Sequence, residues 1–320
     1  MLKLLVMLTL SAYYQNIFNA KTYKLAIDAG CTCPNRDGTK AFGGCIFCSE
    51  NGSGDFAQCR TLPVAEQIKK AKLLVEDKIK GRSRTRTGKY IAYFQNFTST
   101  YGDSAFLIKK YHEALNAPDV VGLAIATRPD CLKDDILTEL ACLAETTFIQ
   151  LELGLQTCSE NSGNFINRCF SNEDYINAVK RIQNANSKIH IVTHLIFGLP
   201  NENEKDMLES VNFVLNVNST SAATDSETPF GIKITCLYVL KNTKLAFLYT
   251  QGLYTPLTEE KYFSLLQKAL LLLPENCVLH RLTGDPPKKL LLAPDWPKDK
   301  KHVLNKLNQL LSYIQVFHLS

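Results

Sequence analysis

The stretch Asp28–Cys48, DAGCTCPNRDGTKAFGGCIFC, carries three cysteines at a spacing that predicts a metal centre. Cys45 and Cys48 are separated by two residues, which lets two thiolates reach one centre, and Cys33 supplies a third from the start of the loop. The loop between them is polar and rich in glycine, which allows the positive φ angles that a tight fold around a bound group requires. The stretch therefore predicts a loop that closes around a metal.

Three thiolates fit more than one kind of centre. A [4Fe–4S] cluster held by protein alone takes four cysteines, so three would leave one iron open, much as a catalytic zinc keeps an open position. A zinc site would use the same Cys45 and Cys48, with Cys31 or Cys59 as the fourth ligand. A third interpretation treats the cysteines as small buried core residues. The spacing alone leaves the choice between iron–sulfur and zinc open.

The composition places this loop in an ordinary globular protein. The chain has 320 residues, of which 45% are hydrophobic and 21% charged, and its net charge of +5 permits a nucleic-acid partner without arguing for one. Eleven unevenly spaced cysteines do not form the pattern of a secreted disulfide framework, which indicates a reducing, cytoplasmic setting. No apolar run reaches the roughly 18 residues that span a membrane, so we expect no membrane partner.

Short apolar runs alternate with helical periodicity along most of the chain, as is typical of a parallel sheet covered by helices. Six strands are predicted, at Tyr23–Asp28, Tyr90–Phe94, Val120–Ala126, Phe148–Leu153, His190–Phe197 and Ile232–Val239. An open sheet and an incomplete barrel both fit this α/β pattern. In either fold the working face lies at the carboxyl ends of the strands, and the cysteine loop directly follows the first strand.

From Asp28 through Cys48 the sequence resembles the radical S-adenosylmethionine (SAM) superfamily. Within it the match is to the YhcC-like family of the Elp3-related branch, whose pattern is D-A-G-x-T-C-P-N-R-D-G-T…G-G-C-x-F-C. The usual spacing in the superfamily is C-x3-C-x2-C, whereas eleven residues separate the first two cysteines here, and Cys31 stands where relatives carry an aromatic residue. The resemblance implies a [4Fe–4S] cluster that reductively cleaves SAM to a 5′-deoxyadenosyl radical.

The resemblance covers nearly the whole chain and implies a partial (β/α)6 TIM-type barrel with a C-terminal extension. It divides the chain into an N-terminal segment (1–22), the barrel (23–250) and an extension that covers the barrel mouth (251–320). The N-terminal segment has Lys3 before a short apolar run, so it is either a signal peptide or a segment packed on the domain.

The resemblance also implies the residues of the site, with Cys33, Cys45 and Cys48 as the cluster ligands. The residues expected to orient SAM are Phe47, Gln95, Asn96, Gln156, Arg168 and His194. Gln95 and Asn96 are placed by position only, because the Gly-Gly-Glu run of many members is absent. His194 replaces an aspartate of related coproporphyrinogen oxidases, and contacts either the ribose or the core. The candidate substrate contacts are Arg128, Asp130, His280, Arg281 and Asp285.

Three classes of function stay open. The first is an enzyme that modifies RNA, because relatives are linked to the wobble-uridine side chain of tRNA and the basic run Lys78–Lys89 could neutralise phosphates. The second is a radical SAM enzyme acting on a small molecule or a protein, and the third is a non-catalytic zinc-binding module. We expect the first, with tRNA as substrate and an electron donor such as flavodoxin or ferredoxin as protein partner.

Overall fold

The structure, a computed structural model, describes residues 8–50, 52, 57–80, 87–220 and 228–317. The strands are β1 (Thr22–Ile27), β2 (Lys89–Phe94), β3 (Val120–Thr127), β4 (Phe148–Gln156), β5 (His190–Phe197), β6 (Phe230–Cys236), β7 (Val239–Leu240), β8 (Cys277–Arg281) and β9 (Leu291–Ala293). The helices are α1 (Leu10–Phe18), α2 (Val64–Lys80), α3 (Ser104–Leu115), α4 (Asp134–Leu143), α5 (Glu160–Phe165), α6 (Asn172–Ala185), α7 (Glu204–Thr220), α8 (Lys244–Thr250), α9 (Glu259–Leu271) and α10 (Lys300–Phe317).

Seven strands form one parallel sheet in the order β1-β2-β3-β4-β5-β6-β8, curled into a half-barrel. The strands are mostly apolar because helices cover the outside of the sheet while the concave side faces the barrel interior. On α2 the stripe of Val64, Ile68, Ala71 and Ile79 is buried, as its spacing predicts. Burial of each large aliphatic side chain contributes about 1.5–3 kcal/mol, so this stripe anchors the helix that follows the cysteine loop.

All six predicted strands are confirmed, and the sheet gains a seventh from the predicted extension. β8 pairs in parallel with β6, so part of the chain after residue 250 completes the half-barrel. The predicted strand Ile232–Val239 is divided: β6 ends at Cys236, and β7 pairs antiparallel with β9 in a separate two-stranded sheet. Only Cys277–Leu279 of β8 are apolar, because His280 and Arg281 end the strand, so β8 lacks the apolar run that marks the predicted strands.

Helix α1 closes the end of the half-barrel where the strands begin. The backbone of Leu279 on β8 donates to Leu8 at 2.8 Å, and Tyr13 and Tyr14 are buried. The Tyr14 hydroxyl donates to Oε1 of Gln150 at 3.1 Å. Residues 8–18 thus pack on the domain. No helix among the described residues is both long and apolar enough to cross a membrane.

Candidate active site

A cavity of about 320 Å³ opens at the carboxyl ends of the strands, under the cysteine loop. It brings together most of the residues that the sequence predicts for the site. Those that line it are Cys33, Cys45, Phe47, Cys48, Gln95, Arg128, Gln156, His194, Arg281 and Asp285. Asn96, Asp130, Arg168 and His280 are outside its lining. Phe47 also packs against a small apolar cluster of the surrounding loops.

The cysteine loop is held in shape by its own backbone and by the far wall of the cavity. Gly43 and Gly44 adopt φ angles of 79° and 77°, a region that favours glycine. The amide of Gly44 donates to the carbonyl of Asn35 at 2.8 Å, and the side chain of Asn167 donates to the carbonyl of Gly44 at 2.8 Å. Arg36 donates to the carbonyl of Cys48 at 3.1 Å. The loop is therefore pre-organised around the three thiols.

Asn35 connects this loop to the turn that follows α5. Its side chain is fully buried, and Nδ2 donates to the carbonyls of Asn167 at 2.6 Å and Arg168 at 3.1 Å. The same nitrogen lies 4.0 Å from Sγ of Cys45. An amide donor beside a ligating sulfur would orient it and tune a bound metal, so Asn35 is placed to support the predicted ligand Cys45.

The thiols repel one another as anions. Burial, together with the proximity of Cys48 and Cys33, raises the pKa of Cys45 to about 12, against the opposing charge of Arg128. A metal centre reverses this balance because thiolates bind it in their deprotonated form. The donor set thus suits a cationic iron–sulfur group held by three thiolates.

The zinc interpretation needs a fourth ligand from Cys31 or Cys59. Cys31 is buried in the main hydrophobic core, and the exposed Cys59 lies 3.1 Å from the hydroxyl of Thr61. Neither side chain lines the cavity. Across the described ranges, no group of three His, Cys, Asp or Glu residues is arranged to hold a single metal ion.

Arg128 and Asp130 form a brace at the end of β3. The guanidinium holds the carboxylate through two bonds, of 2.9 Å and 2.8 Å, and donates to the carbonyl of Arg168 at 2.9 Å. Lys40 of the cysteine loop reaches the same carboxylate at 2.5 Å. Burial raises the pKa of Asp130, but Arg128 and Lys40 outweigh it, and the net pKa is lowered. The pair therefore stays charged, and it links the cysteine loop, through Lys40, to the turn after α5, through the carbonyl of Arg168.

Arg168 lies behind the cavity wall. Its side chain is 1% exposed and donates to the carbonyls of Phe170, Leu155 and Thr157 and to the side chains of Glu160 and Asn172. These bonds use all five N–H donors of a guanidinium. In this arrangement none is left for the carboxylate of SAM, and Arg168 supports the turn that carries Gln156.

Gln156, at the end of β4, has a φ of 67°, which is strained for a residue other than glycine. A methyl group at Gly154 would lie 2.5 Å from Nε2 of Gln156, so the side chain folds back over that glycine. Strain of this kind persists where the surroundings enforce it, and here it turns Gln156 into the cavity wall.

Gln95 and Asn96 diverge after β2. Gln95 lines the cavity, whereas Asn96 is buried and donates to Oδ2 of Asp28 at 2.6 Å. Asp28 in turn accepts from the amide of Gly30 at 2.6 Å. Asn96 therefore fixes the beginning of the cysteine loop, and only Gln95 is positioned to meet a ligand.

The floor of the cavity is an ionic network around the fully buried Glu152, which sequence reasoning missed. Its carboxylate pairs with Lys24 at 2.6 Å and with Lys233, and accepts from the hydroxyl of Tyr93 at 2.6 Å. Nε2 of His194 lies 3.1 Å from the same carboxylate. Burial raises the pKa of Glu152, but the two lysines and His194 hold it well below its usual range.

The basic groups of this network are shifted toward their neutral forms. Burial lowers the pKa of Lys233 to about 7 and also lowers the pKa of Lys24, although Glu152 opposes both shifts. Burial also lowers the pKa of His194 to about 4, so its imidazole is neutral. His194 thus belongs to the floor and also lines the cavity.

His280 lies deeper in the barrel. Its Nε2 is 2.7 Å from Nε2 of His190, whose Nδ1 lies 2.6 Å from the carbonyl of Pro229. Burial lowers the pKa of His190 to about 3 and holds that of His280 well below its usual range. His280 lies outside the cavity lining, and its predicted contact with the substrate stays a prediction.

One feature of the sequence indicates the ionic network of the cavity floor. Lys24, Glu152 and Lys233 each stand inside an otherwise apolar strand, in YKLAI, LELGL and GIKIT. Charged residues are almost never fully buried unless they are paired. Three such positions on strands of one parallel sheet predict a buried ion cluster.

Two family models match the chain: the radical SAM superfamily over residues 33–214 and the radical SAM C-terminal domain over residues 229–312. The chain belongs to the radical SAM superfamily. It is thus a radical SAM enzyme, and membership implies SAM and an iron–sulfur cluster as cofactors. The boundary predicted at residue 250 stays a prediction.

Relatives that match over most of their length support membership of the same superfamily. The chain is 39% identical to protein YtqA of Bacillus subtilis (strain 168), over 95% of this chain and 88% of YtqA. It is 30% identical to protein YhcC of Escherichia coli (strain K12), over 92% of this chain and 89% of YhcC. The resemblance to the YhcC-like family is therefore confirmed.

More distant matches lead to the Elp3 group. The chain is 25% identical to the tRNA uridine(34) acetyltransferase of Methanocaldococcus jannaschii, over 54% of this chain and 30% of that protein. The structure of the archaeal Methanocaldococcus infernus Elp3 superposes with a TM-score of 0.61 at 16% identity, over 90% of this chain and 64% of that chain. At this identity the superposition establishes the shared fold.

Proposed function

We propose that this radical SAM enzyme binds a [4Fe–4S] cluster through Cys33, Cys45 and Cys48 and modifies the wobble-uridine side chain of tRNA. The observation that carries the first part is the position of the three cysteines, on one pre-organised loop and around one cavity. Three thiolates leave one iron of a four-iron cluster open for SAM.

The residues around the cavity give this chemistry its setting. When bound, the reduced cluster supplies the electron that cleaves SAM to methionine and a 5′-deoxyadenosyl radical. Phe47, Gln95 and Gln156 line the space beside the cysteines and would orient SAM. Arg168 and Asn35 hold the loops that carry these groups, and the closed end of the half-barrel excludes water. An electron donor such as flavodoxin or ferredoxin would reduce the cluster.

Anaerobic reconstitution with iron and sulfide tests the cluster. We expect about four irons per chain and dithionite-dependent release of 5′-deoxyadenosine from SAM. The double variant Cys45→Ala/Cys48→Ala should lose both. The control is Cys142→Ala, because Cys142 is exposed on α4 and outside the cavity. Stoichiometric zinc with no cleavage of SAM would overturn the assignment.

Support for an RNA substrate comes from the relatives and from the lysines at the cavity mouth. The matched acetyltransferase is named for uridine 34 of tRNA. Lys288 and Lys289 are exposed directly after Pro286 and Pro287, which line the cavity, and exposed Lys244 lies beside the cysteine loop at Gly43. Exposed cations at a cavity mouth can neutralise phosphates while a splayed-out base enters.

Only part of the basic run Lys78–Lys89 lies within the described residues. Lys78 and Lys80 are in the last turn of α2 and Lys89 begins β2, so these three lysines lie at the amino ends of the strands, opposite the cavity. Arg82, Arg84 and Arg86 fall outside the described residues. The interpretation of the run as a phosphate-binding segment stays a prediction.

Binding of an unmodified tRNA transcript at several salt concentrations tests this surface. The triple variant Lys244→Ala/Lys288→Ala/Lys289→Ala should bind more weakly and lose up to about 2–3 from the slope of log affinity against log salt. The control, Lys78→Ala/Lys80→Ala/Lys89→Ala, removes the same charge from the opposite end. Equal losses in both variants, or wild-type binding independent of salt, would contradict the RNA proposal and favour a small substrate.

A further inference from the structure

The floor of the cavity holds more positive than negative charge. Lys24 and Lys233 both pair with the single carboxylate of Glu152. Arg281 also lines the cavity, and its charge further lowers the pKa of Lys233. An excess of one charge around groups withdrawn from water is unfavourable unless another group compensates for it or a proton is lost.

Glu152 has no capacity left for a further cation. Its Oε1 accepts from Lys24 at 2.6 Å and from Gln150 at 2.5 Å. Its Oε2 accepts from Tyr93 at 2.6 Å and from Lys233. These four donors occupy the lone-pair positions of a carboxylate, and His194 lies at 3.1 Å as well.

Arg281 is the third cation of the cavity floor. It stands at the end of β8, in register beside Lys233 on β6, and is exposed to the cavity. Among the described residues it forms no ion pair, whereas its neighbours Lys24 and Lys233 do. Like charges side by side on adjacent strands repel. The ammonium of Lys233 donates one N–H to Glu152 and a second to the hydroxyl of Tyr93 at 3.3 Å. Its third N–H is left for the cavity.

We propose that Lys233 and Arg281 form a binding site for an anionic group of the substrate, either a carboxylate or a phosphate. An ammonium and a planar guanidinium that face one cavity supply the donors such a group requires. The anion would supply the charge that Glu152 does not. This inference rests on the proposed function, because it places the substrate of the radical reaction in this cavity.

Calorimetric titration of the reconstituted enzyme with SAM present tests the site. The probes are succinate for the carboxylate and inorganic phosphate for the phosphate, each at pH 8 in two buffers of different ionisation enthalpy. At this pH Lys233, with a pKa of about 7, is mostly neutral. A bound anion should draw a proton onto it, so we expect uptake of about one proton per anion.

Variants separate this site from nonspecific binding. Lys233→Met should weaken binding more than tenfold and abolish the proton uptake. Arg281→Met should weaken binding to a similar extent and retain the uptake, and it keeps the test valid if Lys233→Met does not fold. The control is Lys188→Met, which removes an exposed lysine paired with Glu145 and should bind like wild type.

The outcomes of these titrations distinguish the two anions and test the anion site itself. Binding of succinate alone identifies a carboxylate substrate, and binding of phosphate alone a phosphorylated one. Binding of neither probe, equal binding by Lys233→Met, or proton uptake already saturated by SAM would overturn the site. Release of 5′-deoxyadenosine by the same wild-type sample tests the proposed function separately. Cleavage without anion binding removes only this inference, whereas anion binding without cleavage contradicts only the proposed function.

Discussion

Glu152 is the residue on which the interior of the half-barrel depends. Its buried carboxylate is the counter-ion for Lys24 and Lys233, from strands on either side of β4. Such a network adds little net stability over an apolar core, but loss of one member leaves the others uncompensated. The floor is therefore more sensitive to single substitutions than a purely apolar layer of the same size.

Glu152→Gln should destabilise the protein by about 3–5 kcal/mol, because two buried lysines lose their counter-charge. The free energy of unfolding, from urea titration, measures the effect. The control is Glu145→Gln, which breaks the exposed pair with Lys188 and should leave stability close to that of wild type. Similar effects of the two substitutions would show that the floor is not the ionic cluster described.

The backbone of Gln156 is strained at a position that lines the cavity. Gln156→Gly should leave stability unchanged or raise it by about 1 kcal/mol, because glycine adopts a φ of 67° without strain. SAM affinity, measured by calorimetry, should fall because the side chain that lines the cavity is lost. Asn201→Gly relieves a similar φ of 66° outside the cavity lining and should retain SAM affinity. Undiminished SAM binding by Gln156→Gly would remove Gln156 from the cofactor site.

At the scale of elements, the site depends on how the turn after β4 is held. Arg168 connects β4, the beginning of α5 and the beginning of α6 through its five bonds. Asn35 and Arg128 then link the carbonyl of Arg168 to the cysteine loop and to the end of β3. One buried guanidinium thus sets the distance between two walls of the cavity.

Arg168→Lys should destabilise the enzyme by about 3 kcal/mol, because an ammonium cannot reproduce the fork and leaves buried carbonyls without donors. Urea unfolding gives the magnitude, and faster hydrogen exchange over residues 155–170 should locate it. Arg181→Lys alters an arginine paired at the surface with Asp134 and serves as the control. If Arg168→Lys instead lowers SAM affinity at wild-type stability and exchange, Arg168 binds the cofactor directly, as the sequence resemblance implies.

For the whole molecule, three histidines whose pKa values are lowered make folding sensitive to pH. The pKa of His190 is lowered to about 3 and that of His194 to about 4, and His280 is also shifted downward by burial. The unfolded chain takes up these protons below about pH 6.5, where the folded chain does not. Their contribution to stability is therefore complete above that pH and is lost as the pH falls toward 4.

Between pH 6 and pH 5 each of these histidines should cost up to about 1.4 kcal/mol of stability. Urea unfolding at pH 7, 6 and 5 measures the slope. His280→Asn should make the slope shallower, and His112→Asn, which changes a histidine exposed on α3, should not. A free energy of unfolding that is flat from pH 7 to 5 would mean that the buried rings take up protons in the folded state.

The sequence by itself determined the cysteine loop, six of the seven parallel strands and the family. These depend on local patterns: a spacing of two residues, glycines in a tight loop and apolar runs of strand length. It also named Phe47, Gln95 and Gln156, which line the cavity because each follows a strand or lies in the loop. Positions at strand ends can be predicted because parallel strands bring their carboxyl ends together.

Only the tertiary structure decided which charges meet. Lys24, Glu152 and Lys233 are up to 209 residues apart in sequence, and the curl of the sheet makes them one cluster. The fold also engages all five N–H donors of Arg168 and pairs His280 with His190 outside the cavity lining. Contacts between side chains on distant strands depend on register and curvature, which no local pattern encodes.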